Sequence, residues 1–151
     1  MGRISPFLWF DHQAEEAANL YVSLFPNSKI IGTTRYGEAG PGAPGSVMTV
    51  SFELDGLAVT ALNGGPYFKL TEAFSMSVDC ADQAEVDRYW DRLLEGGGQP
   101  SQCGWLKDRF GLSWQIVPAN LPGLIKHPKA MQAMLQMKKL DIAELERAAK
   151  S

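Results

Sequence analysis

The chain has little of what metal centres and disulfide scaffolds are made from. Its 151 residues include two histidines, His12 and His127, and two cysteines, Cys80 and Cys103, at spacings that match no metal-ligand pattern. Two cysteines in a chain of this length do not make a secreted disulfide framework, so both are read as reduced thiols and the cytoplasm is the expected compartment. A basic excess is missing too: 14 Lys and Arg stand against 17 Asp and Glu, the net charge is −3, and Lys138-Lys139 is the sole adjacent basic pair. Nothing there would offset counterion release from a phosphate backbone, which argues against a nucleic-acid partner. No apolar run approaches the ~18 residues of a membrane span. The first six residues carry no apolar signal core, and Pro6 stands where the myristoylation pattern needs Ser or Thr, so no membrane partner is expected.

What is present is the composition of an ordinary globular protein, 45% hydrophobic and 21% charged. Ile4 to Phe10 reads as a strand with Ile4, Leu8 and Phe10 on one face, and Asp11 is placed to cap a helix. Ala14, Ala17, Ala18, Tyr21, Leu24 and Phe25 carry the spacing of that helix over Gln13 to Phe25, stopped by Pro26-Asn27. Strands come next at Lys29–Tyr36, Ser46–Leu54 and Leu57–Leu62, the last two joined by the hairpin signal Asp55-Gly56. The order then repeats. Ala73–Val78 is a strand. Asp82 with Glu85 opens a second helix striped by Val86, Tyr89, Trp90, Leu93 and Leu94, and Gly96-Gly97-Gly98 closes it. A short strand near Gln99–Cys103 and a hairpin over Trp105–Pro118 complete the second half. Both halves run strand, helix, strand, strand, strand, without a residue-level repeat. Beyond them lies a helical tail over 121–150. Pro128 suits a first helical position, Met131, Met134, Leu135 and Met137 form an apolar stripe, and Asp141 with Glu144 and the Leu140–Leu145 staple start a last helix. A tail this apolar covers either its own domain or a dimer partner.

Two motifs carry little chemistry. Gly40-Pro-Gly-Ala-Pro-Gly45 matches G-x-G-x-x-G, but it leads into an alternating strand, so no helix N-terminus can hold a pyrophosphate. The loop Gly37–Gly45 is either a plain strand connection or a lid. Cys103, beside Trp105, has no activating base in evident reach. Asp108 and Arg109 are placed to shape the hairpin turn.

The run Trp105-Leu-Lys-Asp-Arg-Phe-Gly-Leu-Ser-Trp-Gln-Ile-Val-Pro118, with Ala61-Leu-Asn-Gly-Gly-Pro-Tyr-Phe68, Ser77-Val-Asp-Cys80, Glu85-Val-Asp-Arg-Tyr-Trp90 and Met137-Lys-Lys-Leu-Asp-Ile142, resembles the vicinal-oxygen-chelate superfamily, which includes glyoxalase I, extradiol dioxygenases and bleomycin-binding proteins. The match is to its PhnB-like branch, whose members often carry the label demethylubiquinone methyltransferase. The resemblance implies one α+β, glyoxalase-like domain over 1–151. Two βαβββ modules, about 4–65 and 73–118, would form a curled mixed-sheet cup; the Met-rich tail and the modular sheets, for their part, suggest a homodimer. The resemblance also implies four metal-ligand positions, on the first, fourth, fifth and eighth strands. Here they hold Ser5, Asn63, Ala73, with Glu72 beside it, and Gln115. No His or carboxylate set suited to iron, nickel or zinc results, so neither metal nor cofactor is expected.

Phe7, Trp9, Asn63, Trp105 and Gln115 are the candidate ligand-binding residues. The aromatics line either the cup or the core. Asn63 either faces a ligand or serves the Gly64-Gly65 turn. Gln115 either orients a ligand or bonds a neighbouring Ser or backbone group. Three functions stay open: a metal-free small-molecule binder, an enzyme acting in the same cleft, or a dimeric interaction protein.

Overall fold

A computed structural model describes residues 3–151. The chain forms two compact units, Met1–Leu70 and Thr71–Ser151, which correspond to the two sequence modules, with the tail belonging to the second.

In the first unit β1 (Phe7–Phe10), α1 (Ala14–Leu24), β2 (Lys29–Arg35), β3 (Val47–Leu54) and β4 (Leu57–Asn63) occur in that order. The sheet order is β1-β4-β3-β2, with β1 parallel to β4 and the other pairs antiparallel. Alternation sends Leu8, Phe10, Val50, Phe52, Val59 and Ala61 to the buried face, where Ala14, Ala17, Ala18 and Tyr21 of α1 are also buried. The β3–β4 turn has positive φ at both Asp55 (48°) and Gly56 (83°), the geometry that lets a two-residue hairpin match the strand twist.

Two sequence expectations fail in this unit. Ile4 is 94% exposed and precedes the strand, which begins only after Pro6, a residue with no N–H to give a ladder. Asp11 does not cap α1. The cap position falls on Gln13, which makes no side-chain cap bond, and Asn63 Oδ1 accepts the Ala14 N–H at 2.8 Å instead.

The second unit contains β5 (Ser75–Cys80), α2 (Gln83–Leu94), β6 (Gln99–Pro100), β7 (Trp105–Lys107), β8 (Ser113–Pro118), α3 (Leu121–Leu124), α4 (Pro128–Leu135) and α5 (Ile142–Ala149). Its sheet repeats the first topology, β5-β8-β7-β6, with β5 parallel to β8. Asp82 accepts the Glu85 N–H at 2.9 Å and Glu85 accepts the Ala81 N–H at 2.9 Å, a capping box displaced by one residue at its second bond. Leu106, Trp114 and Ile116 are buried on the helix side with Val86, Tyr89, Trp90 and Leu93 of α2. The strand expected from Ala73 starts at Ser75. Residues 72–73 form a turn in which Thr71 Oγ1 accepts the Ala73 N–H.

The tail covers its own unit. Met134, Leu140 and Leu145 close around Val117 of β8, with Met131 and Met137 packed against the cluster. Two mixed four-stranded sheets, each backed by one helix, thus realise the expected α+β order; neither strand order closes into a barrel.

Candidate functional site

In the first unit a crevice of about 450 Å³ is lined by Asp11, His12, Glu15, Tyr36, Asn63 and Tyr67, among others. The residues that sequence reasoning placed in a ligand cup are here occupied by the scaffold. Asn63 spends its amide on Ala14 N–H and on Val47 O, to which Nδ2 donates at 3.2 Å. Trp9 donates Nε1–H to Gly65 O at 2.9 Å and meets the Phe68 ring edge-on at 4.9 Å. A Cβ at Gly64 would fall 2.4 Å from the Trp9 ring, so that glycine is what lets the turn lie against the indole. Phe7 is 61% exposed and is not among the residues lining this crevice. The Gly37–Gly45 loop is pinned at its base: Gly45 N–H donates to Tyr36 O, and Tyr36 N–H to Ser46 O, both at 2.8 Å. Asp11 and His12 approach to 3.7 Å but are exposed, which leaves the pair in water.

The second unit presents a different surface. On the face of its sheet opposite α2, the pairing sets Ser75 and Ser77 of β5 beside Ser113 and Gln115 of β8, and these beside Lys107 and Trp105 of β7. Gln115 Nε2 donates to Ser75 Oγ at 3.0 Å, the neighbouring-serine alternative left open by its sequence. A crevice of about 230 Å³ lies on this face, lined by Trp105, Lys107, Ser113, Ser101, Gln99 and Glu72, among others. Ser113 is 1% exposed, and its hydroxyl has no hydrogen-bond partner among the described residues. Buried hydroxyls are nearly always paired, so an orphan at the wall of a crevice is unusual. Lys107 Nζ contacts Glu72 Oε1 at 2.9 Å, and that contact holds the Glu72 carboxyl below its ordinary pKa.

Of the sequence candidates, this crevice takes in Trp105 and has Gln115 as the cross-strand neighbour of Trp105. Sequence reasoning missed Ser113 and Lys107. The available signal was Ser113 itself, a hydroxyl within the run Leu112–Ile116, where apolar residues otherwise alternate with Gln115 alone.

The metal positions implied by the fold do not suit a cation. Ser5 is exposed ahead of β1, the Asn63 amide is engaged at both ends, Ala73 lies in a turn, and Gln115 bonds Ser75. Among the described residues no group of three His, Cys, Asp or Glu could hold a metal ion. Elemental analysis of untagged, dialysed protein is expected to find no stoichiometric transition metal; one retained with Gln115 or Glu72 in its shell would refute this assignment. Cys80 offers no nucleophile either, because burial, reinforced by the nearby Glu85, Asp79 and Asp82 carboxylates, pushes its thiol up to about 12.

Two βαβββ units of this topology define a glyoxalase-like protein of the vicinal-oxygen-chelate superfamily. The profile of the 3-demethylubiquinone-9 3-methyltransferase family matches residues 2–117, and the chain belongs to that PhnB-like family. The PhnB protein from Bacillus cereus is 34% identical over 78% of this chain and 98% of its own, with a TM-score of 0.70. PA1353 from Pseudomonas aeruginosa is 22% identical, covers 78% of this chain and 97% of its own, and has a TM-score of 0.63. A variant of the fosfomycin resistance protein FosX from Listeria monocytogenes, solved with Mn(II) and a dihydroxypropylphosphonic acid, is 14% identical over 82% of this chain and 97% of its own, at a TM-score of 0.57. The latter two share the fold. No curated protein matches the chain.

Proposed function

We propose that the protein is a metal-free binder of a small molecule, seated on the polar face of the second sheet against Trp105, Ser113 and Gln115. The observation that carries this reading is the buried, unpartnered Ser113 hydroxyl at the wall of a crevice whose other lining groups include an indole and an ammonium. A ligand that supplies one acceptor or donor there completes the hydrogen bonding of the face. Methyl transfer is not part of the proposal. The strand-to-helix connections, residues 11–13, 81–82 and 119–120, contain no glycine and so offer no close backbone approach to a nucleotide phosphate.

A thermal-shift screen over metals, thiol conjugates, phosphonates and aromatic antibiotics tests the reading. A compound should raise the melting temperature of the native protein, and Ser113→Ala should reduce its affinity by about 1–3 kcal/mol, the range for one lost buried hydrogen bond. A hit of equal affinity in both proteins would move the site elsewhere. Turnover of the bound compound would make the protein an enzyme rather than a binder.

We further propose a homodimer in the cytoplasm. Ile30 and Ile31 on the edge strand β2, with Leu57, are large apolar side chains left exposed in a single chain. Light scattering at micromolar concentration should report about twice 16.5 kDa, and a clean monomer there would end the idea. Both cysteines are free, as a reducing compartment requires, and cell fractionation checks the location.

A further inference from the structure

The crevice on the second sheet is charged at one point. Lys107 is the sole cation among its lining residues, and it stands directly across the β7–β8 ladder from Ser113, on the same face. Cross-strand partners of this kind hold their Cβ atoms about 5 Å apart, so one ligand group can reach both. Trp105 lies two residues before Lys107 on the same strand face and gives a flat apolar wall beside the charge.

The present partner of Lys107 is weakly held. Glu72 sits in the turn before β5, and its side chain is 68% exposed against 39% for Lys107. A pair this wet adds little to stability, because water screens the attraction and ordering two long side chains opposes it. Glu72 is a carboxylate on Lys107 that is carried by a turn outside the strands.

We propose that the crevice takes a small organic oxyanion, a carboxylate, phosphonate or phosphate monoester on a flat apolar body, whose oxygens replace Glu72 on Lys107 and accept a hydrogen bond from Ser113. The proposal rests on the small-molecule reading above and adds the class of ligand. Phosphonate and carboxylate groups have the several acceptor oxygens needed to meet an ammonium and a hydroxyl at once. A neutral ligand could satisfy Ser113 but would have no reason to displace Glu72.

The test uses ¹⁵N-labelled full-length protein titrated with phenylphosphonate and, separately, with uncharged benzyl alcohol. The readout is the Trp105 indole N–H resonance, assigned with Trp105→Phe. Phenylphosphonate should shift that resonance and bind more tightly than benzyl alcohol. Lys107→Gln should weaken phenylphosphonate by about 10- to 100-fold, the range of a charge-assisted hydrogen bond. Glu72→Gln should tighten it by about two- to fivefold by removing the competitor. The other indole resonances report that each variant is folded. Equal phenylphosphonate affinity in native and Lys107→Gln protein would overturn the oxyanion inference. If benzyl alcohol still moved Trp105 in that case, the small-molecule site itself would stand. If neither probe moved Trp105, or both acted only elsewhere, the site and its ligand class would fall together.

Discussion

Asp108→Ala is expected to lower the unfolding free energy by about 3–5 kcal/mol, enough to unfold much of a marginally stable domain. The carboxylate is 2% exposed. Its Oδ1 accepts N–H bonds from Phe110 at 2.9 Å and Leu112 at 3.1 Å, and its Oδ2 accepts Trp114 Nε1–H at 2.9 Å. One side chain thus folds the β7–β8 turn and fixes the largest fully buried residue of the sheet. Alanine would strand three donors, two of them in buried bonds. Asp108→Asn keeps the shape but turns an amide N–H₂ toward at least one of those N–H groups, so an intermediate loss of about 1–3 kcal/mol is expected. Urea unfolding monitored by tryptophan fluorescence checks both. A loss under about 1 kcal/mol for alanine would show that the turn holds without the carboxylate.

Leu140→Ala should cost about 3 kcal/mol, within the span for emptying a buried leucine site. Leu140 is wholly buried between β8 and the tail, and its side chain fills the space over Gly104, where a Cβ would come within 3.1 Å of it. The backbone beside it is tied to the same place, since Cys103 and Gly104 N–H donate to Met137 and Lys138 carbonyls at 2.8 Å. The tail is therefore part of the second unit's core. Leu135, 54% exposed on α4, is the internal control, and Leu135→Ala should change stability by under about 0.5 kcal/mol. Equal losses at the two positions in chemical denaturation would contradict this division of the tail.

What the sequence made legible was whatever local chemistry decides. The Asp82 cap with Glu85, the Asp141 cap with its Leu140–Leu145 staple, and the Asp55-Gly56 hairpin each depend on residues within a few positions of one another, and each formed. The α1 cap was illegible because its acceptor, Asn63, is 49 residues away and arrives only once β4 pairs with β1. The same long-range bond ties the Asn63 amide to the scaffold at the edge of the first crevice, and a bond to Gly65 O ties the Trp9 indole. Gln115 was legible as a polar group on an inner face, but its partner, Ser75, depends on where β5 starts, two residues later than the pattern suggested. Ser113 and Lys107 lie in the Trp105–Pro118 run, but nothing in that run singles them out from their neighbours. The β7–β8 register sets them side by side and leaves the Ser113 hydroxyl unpartnered, which no local pattern encodes.

The central claim is that a small molecule binds at Ser113 beside Trp105. X-ray diffraction from crystals soaked with a fragment library tests it most directly. The account predicts fragments in the Trp105–Lys107–Ser113 crevice, with a polar atom in hydrogen-bond range of Ser113 Oγ. Fragments gathering repeatedly in other crevices, with Ser113 Oγ satisfied by an ordered water or a protein group, would contradict it.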